Sequence, residues 1–212
     1  MAIAFANTKG KAVSNKVDSF EFNKDGEYVC RLVGGILPRY MYWLKGTNNK
    51  PIPMECLSFD REKEKFTNIE TDHVPTFFPE LKCSWSYSVN CIDPKDGKVK
   101  VFNLKKKLFE QILGAAENLG DPTDVDEGWD IVFKRAKNGP NTFNVEYTLN
   151  AFKLKKRALT EAERAAVAVA KPIDEIILRQ TPEEQLASLT KITSGTSDEG
   201  DGGEGSEEAK DL

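Results

Sequence analysis

Histidine is almost missing from this chain: His73 stands alone among 212 residues. General acid–base and nucleophilic schemes lean on imidazole, and no serine or cysteine is paired with His73 in a motif that would activate it. Most hydrolytic and transfer chemistry is thereby excluded. A phosphate-cradling loop is missing too, since Gly34-Gly35 has the spacing of neither a P-loop nor a dinucleotide fingerprint. No run of about 18 apolar residues is present to cross a membrane as a helix. The stretch Met1 to Ala6 is too short and too uncharged for a secretory signal.

Cysteine is scarce as well. Cys30, Cys56, Cys83 and Cys91 form no Cys-x-x-Cys pair, which favours a reduced, cytoplasmic setting. His73 with Cys56, Cys83 and Cys91 would be the one zinc set to consider, yet structural zinc ligands pair at about two to four residues. Here they are separated by 16, 9 and 7 residues. Cys91 also falls in phase with Val89 in an alternating segment, where a small buried hydrophobe is expected. The chain is therefore read as a binding protein with no metal, no cofactor and no enzymatic activity.

What is present is charge, unevenly placed. The net charge of -4 hides a segment, 194–212, with seven acids and one lysine, so that it alone carries -6. The rest holds 29 Lys+Arg against 27 Asp+Glu, or +2. Within it, 82–107 has seven lysines and two acids (+5), and 131–157 has seven basic residues and one glutamate (+6). Such a body attracts a polyanion, and the tail competes for the same surface.

Residues 1–20 are small, polar and modestly basic (Lys9, Lys11, Lys16) and read as a flexible arm. Strand signals cover Glu27 to Val33 and Tyr40 to Leu44, with Gly34-Gly35 and Pro38 as breakers between them. The stretch 45–80, with Pro51, Pro53 and Pro75 and many charges, reads as a loop-rich insertion holding a short strand near Met54 to Phe59. Trp85, Tyr87, Val89 and Cys91 alternate with Ser84, Ser86, Ser88 and Asn90, and the Asp93 to Gly97 turn leads into Val99 to Phe102, the pattern of a hairpin. Leu108, Phe109, Ile112, Leu113, Ala116 and Leu119 recur at helical spacing up to Gly120 and Pro122, predicting one amphipathic helix. A second hairpin joins Trp129 to Phe133 with Phe143 to Leu149. The core domain is thus 21–158, mainly β with one internal helix. In 159–193, Thr160 and Thr181 each precede a glutamate by three residues, the capping-box pattern, predicting two short helices. From 194 onward the composition is too polar to pack and reads as a disordered polyanion.

The signal that bears on function is the interleaving of aromatic residues with cations on predicted strands. Arg39, Tyr40, Tyr42, Trp43 and Lys45 form one such run, Lys82, Trp85 and Tyr87 another, and Phe102 precedes Lys105, Lys106 and Lys107. Aromatic faces stack on bases for about 1–3 kcal/mol each, and cations attract phosphates regardless of sequence. Arg31, Lys134, Arg135, Lys153 and Lys155 add to the basic strand regions. Trp85 and Tyr87 are in phase with Val89 and Cys91, so the same alternation describes either a cleft lining or a core stripe. Tyr147, with Phe143, Val145 and Leu149, reads as core.

At these residues the chain resembles the single-stranded DNA-binding, helix-destabilising proteins of tailed phages, of the T-even type. The resemblance is carried by Ser84-Trp85 with Val89 and Asp93-Pro94, by Gly97-Lys98-Val99 through Phe102, by Lys106-Lys107-Leu108-Phe109-Glu110-Gln111-Ile112 and by Gly128-Trp129. It spans about 27–157. The resemblance implies an OB-fold, a five-stranded barrel with one internal helix, C-terminal helices and a disordered acidic tail, whose cleft holds single-stranded DNA. It places Trp85 and Phe102 where the family has DNA-cleft aromatics. It also implies self-association along DNA and a tail that contacts replication and recombination proteins, in the host cell cytoplasm if the protein is viral. Two departures stand out: the Cys-x-x-Cys pair of the T-even zinc insertion is missing, and the amino-terminal arm is thinly basic. The expectation is a nonspecific coat for exposed strands in phage replication, recombination and repair. The rival is an OB-fold adaptor whose acidic tail binds basic partners.

Overall fold

The computed structural model describes residues 18–46, 51–139 and 144–195. Its spine is one strand of 20 residues, β1 (Gly26–Lys45), which joins the two strand segments expected separately. The reason lies at Gly34-Gly35: the register against the neighbouring strand shifts between Val33 and Ile36, and Gly34 takes φ of 73°. A glycine pair therefore makes a β-bulge that bends the strand without ending it. Pro38 is tolerated within β1. Tyr40, two residues on, turns its carbonyl to the Cys56 N–H, away from the adjoining strand. By the same parity the Pro38 nitrogen faces away from that ladder, where no N–H is required.

Around β1 the strands β2 (Pro51–Glu55), β5 (Ser84–Asp93), β6 (Lys98–Leu104), β7 (Asp130–Lys137) and β8 (Val145–Leu149) complete a six-stranded antiparallel sheet in the order β6-β5-β1-β7-β8, with β2 pairing the far end of β1. A two-stranded ribbon, β3 (Phe59–Asp60) and β4 (Lys65–Phe66), stands apart. The expected five-stranded barrel does not close among the described residues, since no ladder joins β6 to β8. The outer edge of β6 is taken instead by the incoming chain: Ser19 bridges Val101, with Phe20 N–H donating to Val101 O and Val101 N–H to Asp18 O, both at 2.9 Å. The arm expected over 1–20 thus joins the fold by Asp18, and Phe20 and Phe22 are core residues. Residues 1–17 lie outside the described ones.

The main core fills one face of the sheet with Cys30, Leu32, Val89, Cys91, Phe102, Leu104, Ile131 and Phe133. Helix α2 (Lys106–Leu119) covers it with Leu108, Phe109 and Ile112. Trp129, fully buried, donates its indole N–H to Gly120 O at the end of that helix. A second core gathers Tyr42, Leu44, Met54, Cys56 and Phe59 with Val74 of the short α1 (Val74–Phe77). The stretch read as a loop-rich insertion is therefore a small packed unit.

The segment after Arg157 crosses the opposite face of the sheet. Arg157 clamps Asp130 and Glu163 with two bonds of 2.8 Å to each, and Glu163 is held down to about 2 chiefly by that guanidinium. Helices α3 (Glu161–Val169) and α5 (Pro182–Thr193) each begin in a capping box, at Thr160 with Glu163 and at Thr181 with Glu184. Leu159 packs on Val33 and Ile92, and Ile173 of α4 (Ile173–Ile176) packs on Leu37 and Val101. Finally α5 delivers Leu189, fully buried, into the second core. No helix among the described residues is long and apolar enough to cross a membrane.

Candidate nucleic-acid interface

The aromatic residues of β1 and β5 share a face because antiparallel pairing sets Tyr40 opposite Trp85 and Pro38 opposite Tyr87. Trp85 meets Tyr87 edge-on, with centroids 4.6 Å apart, and lies 6.0 Å from Phe109. Tyr87 stacks on Phe109 at 4.3 Å. On the other side of the register pair, Tyr40 packs on Phe59 at 4.7 Å and on Phe66 at 4.8 Å. Two ring clusters therefore stand side by side on neighbouring strands, with Tyr40 and Trp85 as register partners.

The patch is half open to solvent and carries one lysine over a ring. Tyr40, Trp85 and Tyr87 are half-buried and Phe66 is 48% exposed. The Lys106 ammonium sits 5.8 Å from the Trp85 ring centroid, a cation–π contact at the first turn of α2. Lys107, Lys82 and Lys65 are exposed nearby in sequence or on the ribbon. Burial lifts the Tyr87 hydroxyl above its ordinary value, with Glu64 adding to the effect, so one acid lies beside this surface. Trp85 and Tyr87 are both half-buried and both pack against the main core; Tyr87 stacks on Phe109, and Trp85 carries the Lys106 ammonium.

Other expected residues are elsewhere. Phe102 is fully buried and packs on Phe20, Phe22 and Phe133, so it is a core residue and not a cleft aromatic. Arg31, 1% exposed, donates to Asp124 O and Arg157 O and braces the turn before β7. That turn needs Gly128, because a Cβ there would lie 2.6 Å from the Arg31 guanidinium and 2.4 Å from Asp124 O. Tyr42 is buried, its hydroxyl donating to Asp72 at 3.1 Å. Lys105 is buried as the residue preceding α2. Arg39 donates to Ser88 on the opposite sheet face, and by strand alternation Trp43 and Lys45 share that parity. Lys134 and Arg135 lie on alternate faces of β7, and Lys153 and Lys155 lie at and after the turn that follows β8; Arg135 pairs with Asp25, and Lys153 with Glu27, the register partner of Lys134. Phe66 and Lys65 escaped the sequence reading, because each strand of their ribbon has two residues, too few to show a period.

The four thiols divide between the two cores. Cys30 lies against Cys91 in the main core, while Cys56 lies against Cys83 in the second, so Cys91 is not beside Cys56, Cys83 and His73. The Cys56 thiol hydrogen-bonds to the Cys83 sulfur, which lowers Cys83 to about 7 and raises Cys56. Cys83 is also the half-buried one, while the other three are buried. Iodoacetamide is expected to modify Cys83 first, with a rate rising through pH 7, as read by peptide mass spectrometry. Equal labelling of all four in the folded chain contradicts this geometry.

No family model matches the chain. It is similar to a probable ssDNA-binding protein of Escherichia phage T5, with 34% identity over 140 residues. That alignment takes in 59% of this chain and 54% of the T5 protein, so the chain spans about half the length of the curated relative it matches. The likeness is to a T5 protein and not to one of the T-even type that the motifs suggested.

Proposed function

We propose that this chain binds single-stranded DNA without sequence preference, by stacking and charge, with no catalytic step. One observation carries the reading: the two ring clusters side by side at the register pair Tyr40 and Trp85, with Lys106 over the indole. Unpaired bases offer their faces to such rings, whereas in a duplex those faces are covered. Exposed lysines attract the phosphates of any sequence. The similarity to a probable ssDNA-binding protein of phage T5 points the same way. So does the order β1, β5, β6, α2, β7, β8, which is compatible with an OB-fold once β2, β3 and β4 are taken as an insertion after β1.

The biological role follows as part of the proposal: a stoichiometric coat that shields exposed strands during phage DNA replication, recombination and repair in the host cytoplasm. Copies associate along the strand, and the acidic segment 194–212, most of which lies outside the described residues, contacts protein partners.

Titration of labelled oligo-dT and of a matching duplex at about 50 and 200 mM salt tests the reading. The single strand is expected to bind more tightly. If Lys65, Lys82, Lys106 and Lys107 each neutralise one phosphate, its affinity falls roughly 50-fold between those salts. Equal affinity for duplex overturns the proposal. A chain lacking residues 196–212 is expected to keep or gain affinity, whereas an adaptor acting through its tail loses its activity.

A further inference from the structure

Phe152 is the one large hydrophobic among the described residues whose exposure reaches 100%. Burying a phenylalanine contributes about 1.5–3 kcal/mol, and its neighbour Leu154 does pack against the main core. Yet Phe152 stands out from a 3₁₀ turn, Ala151–Lys153, that is tied down on both sides. Asn150 N–H donates to Val132 O at 2.7 Å, Lys153 N–H donates to Asn150 O at 3.0 Å, and the Lys153 ammonium holds Glu27 at 2.6 Å. The ring is presented by an ordered turn, not by a frayed end.

Its surroundings are basic. Lys134 is exposed on β7 and in register with Glu27, and Lys155 and Lys156 are exposed just beyond the turn. The acids there are Glu27, held by Lys153, Glu127, 3.8 Å from Lys156, and Glu146 on the strand beside Lys134, which accepts from Asn138, so four lysines stand against three glutamates. An apolar ring among cations suits a base with its phosphates better than it suits an apolar protein groove, to which the lysines would be a desolvation cost.

The strand that leads into the turn is also tied to the helix that starts at the aromatic patch. Helix α2 starts at the patch, with Lys106 over Trp85. Five residues on, about 7.5 Å along its axis, Gln111 donates to Tyr147 O at 3.0 Å and accepts from Leu149 N–H at 2.7 Å, three residues before Phe152.

We propose that Phe152, with Lys134 and Lys155, is a second single-strand contact that stacks a base outside the Trp85 patch and extends the bound length across the start of α2. This rests on the single-stranded DNA reading above.

The test uses the full chain with fluorescent oligo-dT of about 8 and about 25 nucleotides, one within and one well beyond the roughly 4–16 nucleotides that a single OB-fold covers. Phe152→Ala is expected to weaken the longer strand by about tenfold, to leave the shorter one at wild-type affinity, and to be rescued by Phe152→Tyr, whereas loss of Trp85 weakens both. Wild-type binding of the longer strand by Phe152→Ala overturns the proposal. So does sedimentation showing that the DNA-free chain self-associates through Phe152, which makes a second copy the occupant. A wild-type chain that binds neither oligonucleotide refutes the underlying reading instead, so the two failures are distinct.

Discussion

Trp85→Ala is expected to lower the affinity for oligo-dT by more than tenfold while the chain stays folded. The indole is half-buried, and if it stacks on DNA as proposed its loss removes a surface worth about 1–3 kcal/mol per base. It also removes the seat of the Lys106 ammonium, 5.8 Å from the ring. Trp85 is half-buried, and Tyr87 keeps its own support on Phe109 at 4.3 Å. The sheet should therefore survive, as circular dichroism will show. Trp85→Tyr, which retains a ring, should recover most of the affinity. A folded Trp85→Ala chain with unchanged affinity would make the indole a packing residue and move the binding surface elsewhere.

The residues that made this site legible were those with local periodicity. The serine and aromatic alternation across Ser84 to Cys91 showed a strand, and the turn at Asp93 to Gly97 showed its partner, because a two-residue period needs only local sequence to be seen. The two capping boxes were equally plain, being contained within four residues each. What needed the structure was sidedness. Whether Phe102 faces a cleft or a core depends on Val89 opposite it and on Phe20 arriving from far up the chain. Arg31 looked like a phosphate ligand, yet its partners are carbonyls about 93 and 126 residues away. Gly34-Gly35 looked like a breaker because composition does not distinguish a bulge from a turn. The charge halves of the molecule were visible at once; their separation into a patch at α2 and a cluster at Phe152 was not.

The segment 159–193 looked like an appendage in sequence, and Leu189→Ala is expected to show that it is part of the fold. Leu189 is fully buried among Tyr42, Leu44, Met54 and Val74, four residues contributed by β1, β2 and α1. Beside it Gln185, also fully buried, donates to Glu55 O at 2.9 Å and to Asp72 at 3.2 Å, and accepts from His73 N–H at 2.7 Å. Arg179 adds bonds to Glu55, Glu70 and Leu57 O. Truncating a buried leucine to alanine costs about 2–5 kcal/mol, which for a domain of this size lowers the melting temperature by about 10 °C. Removing 196–212 should leave that temperature unchanged. Were Leu189→Ala to melt like the parent chain in thermal denaturation, α5 would be dispensable. The ring cluster of Tyr40, Phe59 and Phe66 would then have to stand without it. If the drop is seen, the second core beneath that cluster depends on the C-terminal helix, and the chain's binding surface and its last helix are one folding unit.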